Sequence, residues 1–217
     1  MQFRTYFCIS RAQLILKIMS NKRNLRYNQL THKQILNPHT FIADFCRYEI
    51  DIEAFRTQIH DLIRSACSTL QHGKSEEYFY NYRCLLKLLE AGHIFFCKGT
   101  KFSLHCASSN ASPCAKDLTR YYNVLISTHF KSLSQEEIKN THCFFKDFFS
   151  FLSLNEWRLM LSRIVEYAYR QTTIDEVIED GSAMVLVKEY LEKLIEVIYL
   201  IDITQTVLYV SNTTTVN

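Results

Sequence analysis

Glycine and proline are scarce in this chain, with four Gly and two Pro among 217 residues. Loops must therefore be short and few, because the turns that need positive φ have little glycine to draw on. The same scarcity excludes a Gly-rich phosphate cradle, and neither Gly-x-Ser-x-Gly nor His-Glu-x-x-His occurs. No run of 18 apolar residues is present, so no segment is expected to span a bilayer. Acid is missing from the start. Between Met1 and Ala43 lie Arg4, Arg11, Lys17, Lys22, Arg23, Arg26 and Lys33, with neither Asp nor Glu before Asp44.

What is there is apolar and aromatic. A hydrophobic content of 47%, with fifteen Phe and thirteen Tyr, supplies a sizeable core and excludes a disordered chain. The formal charge of +3 is unevenly spread: seven of the 25 basic residues form the leader, leaving 18 against 22 acids in the body. Such asymmetry points to an acidic partner, either nucleic acid or an acidic protein, with Lys22, Arg23, Arg26 and Lys33 as the expected nucleic-acid contacts. Arg11 and Lys17 interrupt the apolar start and no small-residue cleavage site follows, so the chain is expected not to be secreted and to be cytoplasmic. Met19-Ser20-Asn21-Lys22-Arg23 has the look of an ordinary protein start, which would place residues 1–18 outside the reading frame. The eight cysteines are then expected to be reduced, with Cys46 and Cys67 at core phases.

Helical periodicity recurs along the whole body. Asn37-Pro38 opens a short helix carrying Phe41, Ile42 and Phe45. Ile52, Phe55, Ile59, Leu62, Ile63, Ala66 and Leu70 then step by three and four, with Glu53, Arg56, His60 and Arg64 opposite, and Gly73 as the stop. Ser75 is expected to cap a helix with Phe79, Tyr82, Leu86 and Leu89 inside and Glu76, Arg83, Lys87 and Glu90 outside, closed by Gly92. Between 93 and 113 the pattern breaks, and His93–Phe96 with Lys101–Leu104 could pair as a short β-hairpin. Ser112-Pro113 restarts the helices, with Leu118, Tyr121, Tyr122, Leu125 and His129 as the stripe.

Three capping boxes follow, Ser134 with Glu137, Ser153 with Glu156, and Thr173 with Glu176. Phe144, Phe145, Phe148, Phe149 and Phe151 with Trp157 read as core rather than as a base-stacking platform, since only Lys146 interleaves them. The last helix carries a seam of Met184, Val187, Leu191, Leu194, Ile198 and Ile201, with Lys188, Glu189, Glu192, Lys193 and Glu196 as its charged face. Thr206–Val210 is β-branched and suits a strand, and Ser211–Asn217 reads as a polar tail. No repeat period is evident, which argues against a solenoid.

Candidate chemistry is thin. His93, Cys97, His105, Cys106 and Cys114 offer zinc-type ligands without a Cys-x₂-Cys knuckle, so no metal and no cofactor is expected. Arg26 and His32 have the Arg-x(4–6)-His spacing of the HEPN-type helical ribonucleases, which it resembles over seven residues. In that family the motif opens a late helix of the bundle and serves phosphodiester cleavage, whereas here it sits in the leader, and both residues read as solvated. The carboxylate pairs Glu136-Glu137 and Glu179-Asp180 fall at helix ends, where acids cap or face water.

The expected fold is an all-α array or bundle of about six to eight helices, with the 93–104 hairpin as an option. It divides into a basic leader (1–36), a helical domain (37–203) with a sub-boundary at 93–113, and an extension (204–217). The expected function is a non-catalytic interaction or regulatory protein touching nucleic acid through its leader. The alternatives are a helical nuclease or metal-dependent enzyme, and a homo-oligomer assembled through the 184–201 seam.

Overall fold

The computed structural model describes residues 27–49, 51–100, 102, 113–174 and 181–213. Among them the all-α expectation holds, with nine α-helices and no strand. In chain order these are α1 (His32–Leu36), α2 (Pro38–Asp44), α3 (Ile52–Ala66), α4 (Ser75–Cys97), α5 (Pro113–His129), α6 (Gln135–Lys139), α7 (Thr141–Phe151), α8 (Leu154–Arg170) and α9 (Gly181–Thr213). A π-helical turn, Phe45–Glu49, continues α2. No helix among the described residues is long and apolar enough to cross a membrane.

Local capping sets many of the starts. Ser134 and Glu137 exchange bonds with each other's backbone N–H at the start of α6, and Ser153 and Glu156 do so at α8. Thr31 and Gln34 form a third box at α1 that the sequence pattern had not suggested. The Thr173–Glu176 box lies partly outside the described residues. Pro38 occupies the first turn of α2, but the Asn37 side chain makes no cap bond. Ser75 is the first residue of α4, not its cap; Lys74 holds that position.

Three expected boundaries and one expected face move. α3 ends at Ala66, not at Gly73, because Ser65, Tyr78 and the His72 carbonyl form a knot that turns the chain early. Leu70 is consequently exposed. On α4 it is Tyr78 that faces the core, and Phe79 is 55% exposed. Gly92 does not close α4, which runs on through His93–Phe96, so the first arm of the supposed hairpin is helical. The stop is Gly99, at φ +62°, whose N–H bonds the Phe96 carbonyl while the Thr100 N–H bonds that of Phe95, a Schellman closure. Thr206–Val210 is likewise helical, inside α9. The Thr204 and Thr206 hydroxyls return to the carbonyls of Leu200 and Asp202, so their hydrogen-bonding capacity is met within the helix.

Gly92 sits mid-helix because α7 comes close: a Cβ there would lie 2.9 Å from the Phe145 ring. Gly92→Leu is expected to lower stability by about 1–3 kcal/mol through overpacking, read as a shift in the urea midpoint. An unchanged midpoint would show that α7 does not pack this tightly on α4.

The core is continuous across the 93–113 break, since α3 packs on α8 and α9, α4 on α7 and α8, and α2 on α9. Phe144, Phe145 and Phe148 are fully buried in it. Trp157 is also fully buried, stacked on Phe148 with ring centroids 4.4 Å apart and set edge-on to Tyr190 of α9 at 6.3 Å. Met184, Val187, Leu191, Leu194, Ile198 and Ile201 are all buried inside the chain. That seam is therefore packed into the core of the single chain.

The chain folds as two copies of one pattern. Leu-Thr-x-x-Gln-Ile-x-Asn-x-His-x-Phe at Leu30–Phe41 returns as Leu-Ser-x-x-Glu-Ile-x-Asn-x-His-x-Phe at Leu133–Phe144. In both copies it builds a capping box, a five-residue helix, an Asn boundary and a second helix. α3 and α8 then correspond, with Phe55, Arg56, Ile59, Leu62 and Ala66 matched by Trp157, Arg158, Leu161, Ile164 and Ala168. α4 and α9 also correspond, with Leu85, Leu88, Leu89 and Glu90 matched by Leu191, Leu194, Ile195 and Glu196. The repeat is a single duplication, not a short period, and this corrects the expectation that none exists.

Candidate functional site

Two glutamates expected on solvated faces are fully buried instead. Glu90 of α4 accepts from the backbone N–H groups of Asn28 at 3.1 Å, Gln29 at 3.0 Å and Leu30 at 3.1 Å. Its fourth donor is Nη2 of Arg158, on α8. Glu196 of α9 accepts from the N–H groups of Lys131 at 2.9 Å, Ser132 at 3.1 Å and Leu133 at 2.9 Å, and from Nη2 of Arg56 on α3 at 2.7 Å. Each carboxylate thus fixes the bend that precedes a capping box and a short helix.

The duplication explains the pairing. Each glutamate meets the arginine of the other copy, so the two clasps lock the halves to one another. The Asn155 side-chain oxygen steadies the Arg158 guanidinium, accepting from Nη1 at 3.2 Å, and Glu53 takes the matching position beside Arg56 at 3.0 Å. Burial raises the Glu53 carboxyl, but the His129 hydrogen bond and the Arg56 charge outweigh it and bring it below its ordinary value.

Chemically these clasps are closed. Four donors fill the acceptor positions of each carboxylate, and neither side chain is exposed to a substrate. Buried charge satisfied in this way orders structure and leaves no lone pair for proton transfer.

A second cluster lies at the end of α4. The Tyr27 hydroxyl and Nδ1 of His93 are 2.6 Å apart, and Cys97 Sγ lies 3.6 Å from the same nitrogen. His93 packs edge-on against Phe149 at 4.9 Å and against Phe96 at 6.2 Å, with Phe96 and Phe149 5.4 Å apart. Burial, then the Arg158 charge, lowers the His93 pKa. Burial and the nearby Cys97 push Tyr27 up to about 12, so its hydroxyl keeps its proton at neutral pH.

Of the sequence-predicted nucleic-acid residues, Lys33 is exposed on α1, while Lys22, Arg23 and Arg26 lie outside the described residues. His32 is the exposed first residue of α1, and Arg26 of the same motif is outside. In the zinc-type set, His93 and Cys97 are adjacent, whereas His105 and Cys106 fall outside. Among the described residues no three His, Cys, Asp or Glu side chains converge as metal ligands. Glu137 is used in its capping box and reaches Lys193 at 3.3 Å; Glu179 and Asp180 lie outside.

Sequence reasoning missed all four clasp residues. The signal that finds them is the recurrence of the Leu30–Phe41 pattern at Leu133–Phe144, which aligns Arg56 with Arg158 and Glu90 with Glu196. Comparison with family models, curated proteins and solved structures finds no match to this chain.

Proposed function

We propose that this chain is a non-catalytic helical interaction protein whose basic N-terminal segment engages an acidic polymer, with nucleic acid as the partner. The observation that carries the reading is charge segregation: seven Lys or Arg and no acid through Ala43, ahead of a body with more acids than bases. Unpaired charges of this kind are costly to bury, so they serve best at a surface facing opposite charge. Lys33 is exposed, and Lys98 lies close by, its Nζ 3.4 Å from the Leu36 carbonyl, which adds positive charge where the leader joins the body. The closed clasps support a role in holding shape over one in proton transfer.

Binding through four to seven phosphates should give a log–log salt slope of roughly −4 to −6 with little sequence preference. Replacing Lys22, Arg23, Arg26 and Lys33 together by Gln is expected to flatten that slope by about 3–4 and leave helical circular dichroism intact. Substitution is preferable to removing residues 1–36, which would strip the three backbone donors from Glu90. Absence of salt-dependent binding to DNA and RNA alike would overturn the reading, and cleavage of RNA lost in His32→Ala would replace it with a nuclease.

A further inference from the structure

Among the described residues one element has no counterpart in the other copy. α5 ends just before the segment that Glu196 clasps, and the matching stretch before the Glu90-clasped segment is residues 10–26 of the leader. α5 is packed on α9, with Thr119 and Ile126 buried and Leu118, Tyr122 and Leu125 half-buried. Tyr122 lies in the field of Asp202, which also acts on Tyr199 and Cys46. Tyr122 is half-buried on the helix that packs on α9, which carries Tyr199 and Asp202.

Under the repeat, Cys46, Tyr199 and Asp202 correspond to Phe149, His93 and Phe96. Those three rings form the half-buried ledge at the end of α4, and all lie within 6.2 Å of one another. Tyr27, the first described residue, is anchored on the ledge through His93, so the chain upstream leaves from this spot. The position of Tyr122 falls to Met19, and that of Leu118 to Ile15. The chemistry is matched: where α9 carries a carboxylate and α5 a tyrosine, the ledge is wholly aromatic and the matching leader position is a thioether, a group that packs well on ring edges. Cys97, exposed on the ledge, corresponds to Ile203, which is buried on α9.

We infer that the aromatic ledge of His93, Phe96 and Phe149 is the docking site of the chain's own leader, which binds through Ile15 and Met19 as α5 binds α9. Docking covers Cys97 and turns Lys17, matched to the exposed Arg120, outward. The same register sets Lys22 and Arg23 against the half-buried Leu125 and the buried Ile126, so the likeness to α5 stops at Met19 and those two cations stay free for the nucleic-acid reading; the test itself contains no nucleic acid.

Cys97 reports occupancy. In the full-length chain, iodoacetamide labelling followed peptide by peptide should find Cys97 slow, and Met19→Asp or Ile15→Asp should speed it at least tenfold, with helical circular dichroism unchanged. Both substitutions lie outside the described residues, and the unchanged circular dichroism keeps loss of fold from imitating the result. Equal labelling in all three chains would overturn the inference. So would protection that survives both substitutions, or that fades on dilution alone, which would give the ledge to a second copy.

Discussion

Glu196→Ala is expected to cost about 3–5 kcal/mol, among the largest losses any single substitution here produces. The side chain is fully buried and its removal takes the acceptor from three backbone N–H groups and one from the Arg56 guanidinium, which keeps Glu53 and the His129 carbonyl. Glu90→Ala should behave alike, since its donors are equivalent. The arginines are expected to matter less. Arg56→Met leaves a carboxylate that still accepts from three N–H groups, so its loss should be smaller than that of Glu196→Ala. Urea unfolding of Glu196→Ala, Glu90→Ala and Arg56→Met checks the order. An arginine loss equal to or above the glutamate losses would mean that the ion pair, not the capping of the bends, carries the stabilisation.

Trp157→Ala is the second large effect, at about 3–5 kcal/mol. The indole is fully buried, stacks on Phe148, and donates its Nε1–H to the Phe148 carbonyl at 3.2 Å. Truncation opens a cavity between α7, α8 and α9 and leaves that carbonyl short of a donor. As Trp157 is the only tryptophan, native fluorescence reports this site alone, and the emission should be blue-shifted and shift red on unfolding. Red, quencher-accessible emission from the native protein would contradict the burial.

Much of the local structure could be read from residue pattern because its causes are local. The Ser134 and Ser153 boxes involve groups three residues apart, and the α9 seam follows from spacing along one helix. The burial of Trp157 was legible for the same reason, at the centre of the α8 stripe. The errors came from distant partners. Glu90 and Glu196 stand among charged neighbours in sequence, and only the approach of residues 28–30 and 131–133 makes burial favourable. Gly92 reads as a stop until Phe145 is seen to require a missing side chain. Arg56 and His60 share a face by periodicity, yet Arg56 is drawn inward by a carboxylate on a helix far along the chain. The duplication itself was present in the sequence, but its spacing is that of half the chain, outside the range in which short repeats are sought.

The crossed clasps also constrain how the protein is made. While the first half leaves the ribosome, Glu90 can gather its three N–H groups but lacks Arg158, and Arg56 has no Glu196 to meet. Neither half can complete its own polar interior, and the apolar faces of α3 and α4 wait for α8 and α9. Completion of the body therefore waits until α8 and α9 have been made, and until then the open faces of α3 and α4 are the ones most exposed to aggregation.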